Sequence, residues 1–153
     1  MKYNQGEHLE EFNRLYREMD KIYHDLAVKA GMSDSAFFIL YGILEMGDGC
    51  LQKEIAKRYS ISKQTVNSSI QNLKEKGYLS LEEGRGRDKH IYFTKAGQKF
   101  VEEKVFPVME MEKEVFSEMS LEESRELLGL MKKYLEIFQK KVREEMGDGA
   151  GKK

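Results

Sequence analysis

The sequence predicts a mainly α fold of the α+β class: six helices interrupted by one two-stranded β-hairpin. Three observations carry that reading. Apolar residues recur at three- and four-residue steps along most of the 153-residue chain, 35% of which is charged. Only residues 78–93 switch to an alternation with a period of two. Glycines mark the breaks at 31, 47–49, 77 and 84–86, and Pro107 is the sole proline.

The elements follow in order. Leu9, Phe12, Tyr16, Met19, Ile22, Tyr23 and Leu26 make one apolar stripe over residues 7–30, with Gly31 placed to end the helix. Ser33 or Asp34 starts a second helix whose core face is Phe37, Leu40, Tyr41 and Leu44, broken at Gly47-Asp48-Gly49. A short third helix covers residues 52–59, and a tight link at Ser60-Ile61 leads to a fourth, capped by Ser62 and closed by Gly77. In the alternating stretch, Leu79 and Leu81 share one face, as do Lys89, Ile91 and Phe93. Gly84-Arg85-Gly86-Arg87-Asp88 between them reads as a basic hairpin tip. Thr94 caps a fifth helix carrying Phe100, Val101, Val105 and Phe106, which Pro107 kinks. Ser120 and Glu123 form a capping box ahead of a sixth helix with Leu127, Leu130, Met131, Tyr134, Leu135, Phe138 and Val142 on one side. The tail, residues 147–153, is small and polar and is expected to be disordered.

Helix, helix, short helix, tight turn, helix, basic hairpin is the order of a winged helix-turn-helix. Ile55, Ala56, Ile61, Val66 and Ile70 supply the apolar contacts that lock its two short helices at a steep angle. The second helix of such a pair enters the major groove of duplex DNA and reads base edges from its N-terminal half. Its candidate contact residues here are Ser62, Lys63, Gln64, Thr65, Asn67, Ser68, Gln71 and Lys74. Amides form paired hydrogen bonds with adenine, and lysines meet phosphates or guanine. An ordinary solvated face is rich in both Glu and Lys, whereas residues 62–72 contain no carboxylate. A winged helix used for protein–protein assembly would instead need an acidic or apolar outer face. On the hairpin, Arg85, Arg87 and Lys89 are the candidate DNA contacts.

Charge agrees with that placement. The chain's net charge is −1, yet residues 51–97 carry ten Lys/Arg against five Asp/Glu, and the remainder is acidic. Other chemistries find little support. No nucleophile–base pair, paired acid or phosphate loop marks an enzyme, so no catalytic residue and no cofactor are expected. His8, His24 and His90 lack metal-ligand spacing, so no metal is expected either. Cys50 stands alone and reads as a buried structural thiol in a reducing compartment. No apolar run reaches membrane-span length and the N-terminal residues lack a signal-peptide layout, so a cytoplasmic protein without a membrane partner is expected.

The stretch "SKQTVNSSIQNLKEKGYLSLEEGRGRDKHIYFTKAG", residues 62–97, resembles the multiple-antibiotic-resistance-regulator (MarR) family in its recognition helix, "LxxKG" helix end, wing and "LT-x-x-G" entry into the fifth helix. The resemblance extends over nearly the whole chain. It maps the family's wing arginine onto Arg87, seven residues before Thr94. Two positions depart. Arg85 stands where the family has an aspartate, which leaves a wing-bracing ion pair either missing or made by Asp88; Phe93 replaces a leucine. The resemblance implies a DNA-binding transcription regulator, a repressor by family habit, working as a homodimer on a pseudo-palindromic operator. It also implies a small-molecule effector in a cleft that Tyr23, Tyr41 and Met46 would line. The family's peroxide sensors carry their reactive cysteine in the first helix, where this sequence has none.

The expected organisation is a winged helix-turn-helix DNA-binding lobe over residues 31–97, with residues 1–30 and 98–146 as dimerisation helices. The stripes on the first and sixth helices are wider than a lobe of that size can cover, which points to an interface.

Overall fold

The computed structural model describes residues 1, 3–84 and 88–147. They form α1 (Glu7–Lys29), α2 (Asp34–Met46), α3 (Gln52–Arg58), α4 (Lys63–Glu75), β1 (Leu79–Glu83), β2 (Lys89–Phe93), α5 (Lys95–Lys104), α6 (Phe106–Glu118) and α7 (Leu121–Met146). The expected fifth helix is interrupted at Val105, so its two arms are α5 and α6. Pro107 accounts for the break: it has no N–H to donate, and its ring crowds the carbonyl four residues back. The chain divides into two compact units, Met1–Met109 and the part from Glu110 onward, with the boundary inside α6.

In the first unit α2 is the spine. Phe37, Ile39, Leu40 and Ile43 are fully buried, and Ala36 and Gly42 are buried with them, so the helix is enclosed nearly all round. Its burial is wider than the single face expected from the sequence, because α1, α3 and α4 all pack against it. Tyr41 and Leu44, placed on the core face by spacing, are half-buried against this cluster. Ser33 caps the helix by accepting from the Ala36 N–H at 3.3 Å.

The long stripe of α1 divides. Ala27 is buried, and Tyr23 and Leu26 pack on the core, but Leu9, Phe12, Tyr16, Met19 and Ile22 stay exposed. Gly31, at φ 73°, lets the chain leave the helix: its N–H reaches the Val28 carbonyl and that of Met32 the Ala27 carbonyl. The same motif ends α4, where Gly77 sits at φ 78° and the Tyr78 N–H meets the Leu73 carbonyl at 2.9 Å.

β1 and β2 pair antiparallel with Leu79 opposite Phe93 and Leu81 opposite Ile91, so the alternating apolar residues meet across one face. A third edge joins them. The Gly49 N–H donates to the Ile91 carbonyl, the Ile91 N–H donates to the Cys50 carbonyl, and Leu51 bridges to His90. Thr94 then locks the hairpin to α5. Its hydroxyl donates to the Gly77 carbonyl at 2.6 Å and accepts from the Gly97 N–H at 3.0 Å. A Cβ on Gly97 would lie 1.9 Å from the Tyr78 carbonyl oxygen, so only glycine fits there. These contacts give the T-x-x-G spacing its physical meaning.

In the second unit α7 begins with the expected capping box, in which Ser120 and Glu123 satisfy each other's backbone N–H groups. No residue of α7 is buried. No single helix among the described residues is long and apolar enough to cross a membrane.

Candidate nucleic-acid interface

The site is built from α3, α4 and the hairpin. Ile55, Ala56, Val66, Ile70 and Leu73 are buried and fix α3 against α4, with Ile61 packed beside them. The turn between the helices is tight enough that Ser60 takes a left-handed φ of 51°. The far end of α3 is latched to α2 as well. The Tyr59 hydroxyl donates to the Glu45 carboxylate at 2.6 Å, and Arg58 Nε reaches the same oxygen at 2.9 Å. Burial alone would raise the Glu45 pKa, but those two hydrogen bonds outweigh it and hold the carboxyl below its usual range. The Tyr59 ring lies directly over Gly42, where a Cβ would come within 2.5 Å of it. A mid-helix glycine in an otherwise apolar helix is the one sequence signal of this close approach.

With Val66, Ile70 and Leu73 turned inward, α4 presents Lys63, Gln64, Asn67, Ser68 and Lys74 to solvent, and Gln71 is half-buried. Ser62 and Thr65 are exposed but occupied with each other. The Ser62 hydroxyl caps the helix by accepting from the Thr65 N–H at 3.0 Å, and the two hydroxyls are 2.8 Å apart. No acidic residue lies in the first turn of α4. Two clefts flank the helix. One, toward the hairpin, is lined by Lys63 together with Lys89 and the start of α3. The other, toward the α1–α2 turn, is lined by Ser68, Ser69 and Asn72 with Val28 and Met32.

At the hairpin, Lys89 is exposed and pairs in register with Glu83. Arg85 and Arg87 lie outside the described residues. Asp88 forms an ion pair with Lys53 of α3 at 2.7 Å. Of the two alternatives that Arg85 leaves open, a brace by Asp88 is therefore available, and its partner is a lysine of α3. The sequence carries no signal for that pairing, because 35 residues separate the two groups.

The remaining candidates are also placed. Tyr23, Tyr41 and Met46 are half-buried against the core, and the Tyr23 ring packs on Phe38 with centroids 5.5 Å apart. They do not line either cleft beside α4. Cys50 is buried, and burial, aided by the charges of Glu54 and Asp48, pushes its thiol up to about 11. It stays protonated at neutral pH, the opposite of an activated thiolate. Among the described residues no group of His, Cys, Asp and Glu forms a metal-binding cluster.

Comparison with known proteins bears on this arrangement. Residues 30–88 match the family model described as MarR family. No curated protein matched the chain. Among solved structures, a MarR family regulator from Neisseria meningitidis, NMB1585, has a TM-score of 0.77 at 19% identity, covering 91% of this chain and 99% of that one. The Staphylococcus aureus MepR–DNA complex has a TM-score of 0.70 at 24% identity, with coverages of 88% and 99%. Staphylococcus aureus MarR in complex with salicylate and kanamycin has a TM-score of 0.67 at 22% identity, with coverages of 86% and 90%. At these identities the likeness is one of fold. Residues 30–88 are thus similar to the MarR family, and the fold of the chain is similar to that of solved MarR family regulators.

Proposed function

We propose that the protein is a sequence-specific duplex-DNA-binding transcription regulator, and not an enzyme. The observation that carries this is the solvent face of α4: lysines and amides without a carboxylate in the helix's first turn, beside a hairpin in a segment of MarR family sequence. Each subunit inserts α4 into a major groove. Lys63, Gln64, Asn67, Ser68, Gln71 and Lys74 face the bases and phosphates, and Ser62 and Thr65 serve chiefly as the helix cap. Arg85, Arg87 and Lys89 of the wing reach the neighbouring backbone or minor groove. That a neighbour of the same fold is solved as a DNA complex supports the reading.

The same proposal covers assembly and control. Residues 31–97 act as the DNA-binding lobe, and residues 1–30 and 98–146 as dimerisation helices. The occupant of the exposed stripes on α1 and α7 is a second copy of this chain. A two-fold axis matches one stripe with its own copy and needs no other partner. The dimer sits on a pseudo-palindromic operator in the cytoplasm as a repressor. A small molecule shifts its occupancy from a cleft near Tyr23, Tyr41 and Met46, a reading supported by the salicylate complex of a structural neighbour. The test is titration of the gene's own upstream duplex at several salt concentrations. Affinity should fall linearly on a log–log scale as salt rises, and random duplex should bind at least about a thousandfold more weakly. Equal affinity for both duplexes would contradict sequence-specific regulation.

A further inference from the structure

The cleft between α4 and the hairpin is bordered by a side-chain amide whose nitrogen has no partner among the described residues. Gln52, the first residue of α3, is half-buried, and its Nε2 is shut off from solvent with no acceptor among the described residues. A buried donor left without an acceptor is costly, so native proteins rarely keep one without a use for it. Gln52 lines a cleft of about 440 Å³ with Lys53, Lys63, Asp88 and Lys89, over a floor that includes Val66. The one carboxylate there is already taken by Lys53. Neither Lys63 nor Lys89 forms an ion pair within 4 Å among the described residues, although Lys89 stands opposite Glu83 in the hairpin, so the cleft lining sets three ammonium groups against one carboxylate beside the Gln52 amide. Three ammonium groups exclude a cation, and the charged rim disfavours an apolar guest. An anion with several acceptor oxygens fits.

The position of the cleft identifies which anion. If α4 occupies one groove of the duplex and the wing its neighbour, the ridge separating the two grooves is a sugar–phosphate strand. The cleft lies between α4 and the wing and therefore faces that ridge. We infer that it is the seat of one backbone phosphodiester, with Gln52 as its neutral donor and Lys63 and Lys89 as its flanking charges. This inference rests on the DNA-binding reading above and adds α3 to the contact surface. Because Nε2 is shut off from solvent in this rotamer, the Gln52 amide must turn about its last side-chain bond to present its amino group to the phosphate. Asp88 has a definite part too: it holds Lys53 at the rim, so that ammonium needs no reordering when DNA arrives.

The test compares wild type, Gln52→Leu, Gln52→Glu and Lys63→Gln on the gene's upstream duplex and on a random duplex of equal length. Gln52→Leu should weaken both duplexes by roughly tenfold and by the same factor, since a phosphate contact carries no sequence information. Its salt slope should match wild type, because no charge is lost, and its melting temperature should not fall. Gln52→Glu should bind far more weakly while melting no lower than wild type, as its carboxylate takes the phosphate's place among the lysines. Lys63→Gln should flatten the slope by about one unit. Unchanged DNA affinity in both Gln52 variants, a loss confined to one base pair, or a lowered melting temperature in both would overturn the phosphate seat. So would inorganic phosphate that raises the wild-type melting temperature at matched ionic strength while Gln52→Leu binds DNA normally, since the cleft would then serve a free anion. If wild type binds neither duplex, the DNA-binding reading fails; if it binds and only the Gln52 variants behave normally, the seat alone fails.

Discussion

Helices α2 and α7 carry apolar residues at the same three- and four-residue spacing and end in opposite environments. Phe37, Leu40 and Ile43 of α2 are wholly inaccessible, whereas Leu130, Leu135 and Phe138 of α7 keep more than half of their surface exposed. Helix α1 holds both conditions in one element, buried at Ala27 and open at Tyr16 and Met19. The spacing of apolar residues states which face of a helix avoids water; it does not state what covers that face. In α2 the cover is the rest of the unit. For α7 the proposed cover is a second copy of the chain.

Phe37→Ala removes a large side chain from a closed core and should cost about 3–5 kcal/mol of unfolding free energy, read by denaturant titration. Because its packing is internal, that loss should not depend on protein concentration. Leu135→Glu, which places a charge on the exposed stripe, should behave differently. In the separated chain it is near neutral, but in a dimer interface it leaves an unpaired charge in an apolar contact, at a cost of about 3 kcal/mol. Light scattering at micromolar concentration should find wild type as a dimer and Leu135→Glu shifted toward monomer. A monomeric wild type would end the dimer claim and leave the α7 stripe unexplained.

Smaller effects sharpen the comparison at the wing and at the buried thiol. Arg87→Ala should leave fold and assembly intact and lower the slope of log affinity against log salt by about one unit if its contact is a phosphate. Arg85→Ala should matter less, since the family places an acid there. Cys50→Ser should change neither DNA affinity nor any response to peroxide, because a buried thiol pushed up to about 11 presents no thiolate at neutral pH. Peroxide-driven release of DNA that disappears in this variant would contradict it.

Legibility in the sequence followed the same division. Elements fixed by local chemistry could be read directly: Ser62 and Ser120 as caps, Gly31 and Gly77 as helix ends, and the alternation that sets Leu79 and Leu81 on one face of their strand and Ile91 and Phe93 on one face of theirs. A kink from Pro107 was also readable, because proline acts on its own helix, but the full interruption at Val105 that separates α5 from α6 was not. Contacts between distant segments were not. The bridge from Leu51 to His90, the Tyr59–Glu45 latch over Gly42 and the Lys53–Asp88 ion pair each join residues that no periodicity relates. At the proposed interface the same limit applies. The outward face of α4 follows from its inward one, while the Gln52 amide, without a partner among the described residues, became visible only once α3, α4 and β2 were placed together.

The central claim is that α4 reads base edges, and single-base variants of the bound upstream site test it most directly. Alanine at Gln64, Asn67 or Gln71 should cost about 1–3 kcal/mol at one base pair each and relax the preference there, leaving discrimination at the other positions as in wild type. If all three variants instead lose affinity uniformly across every site variant, or lose none, α4 does not read the sequence and the account of this protein as a specific regulator is wrong.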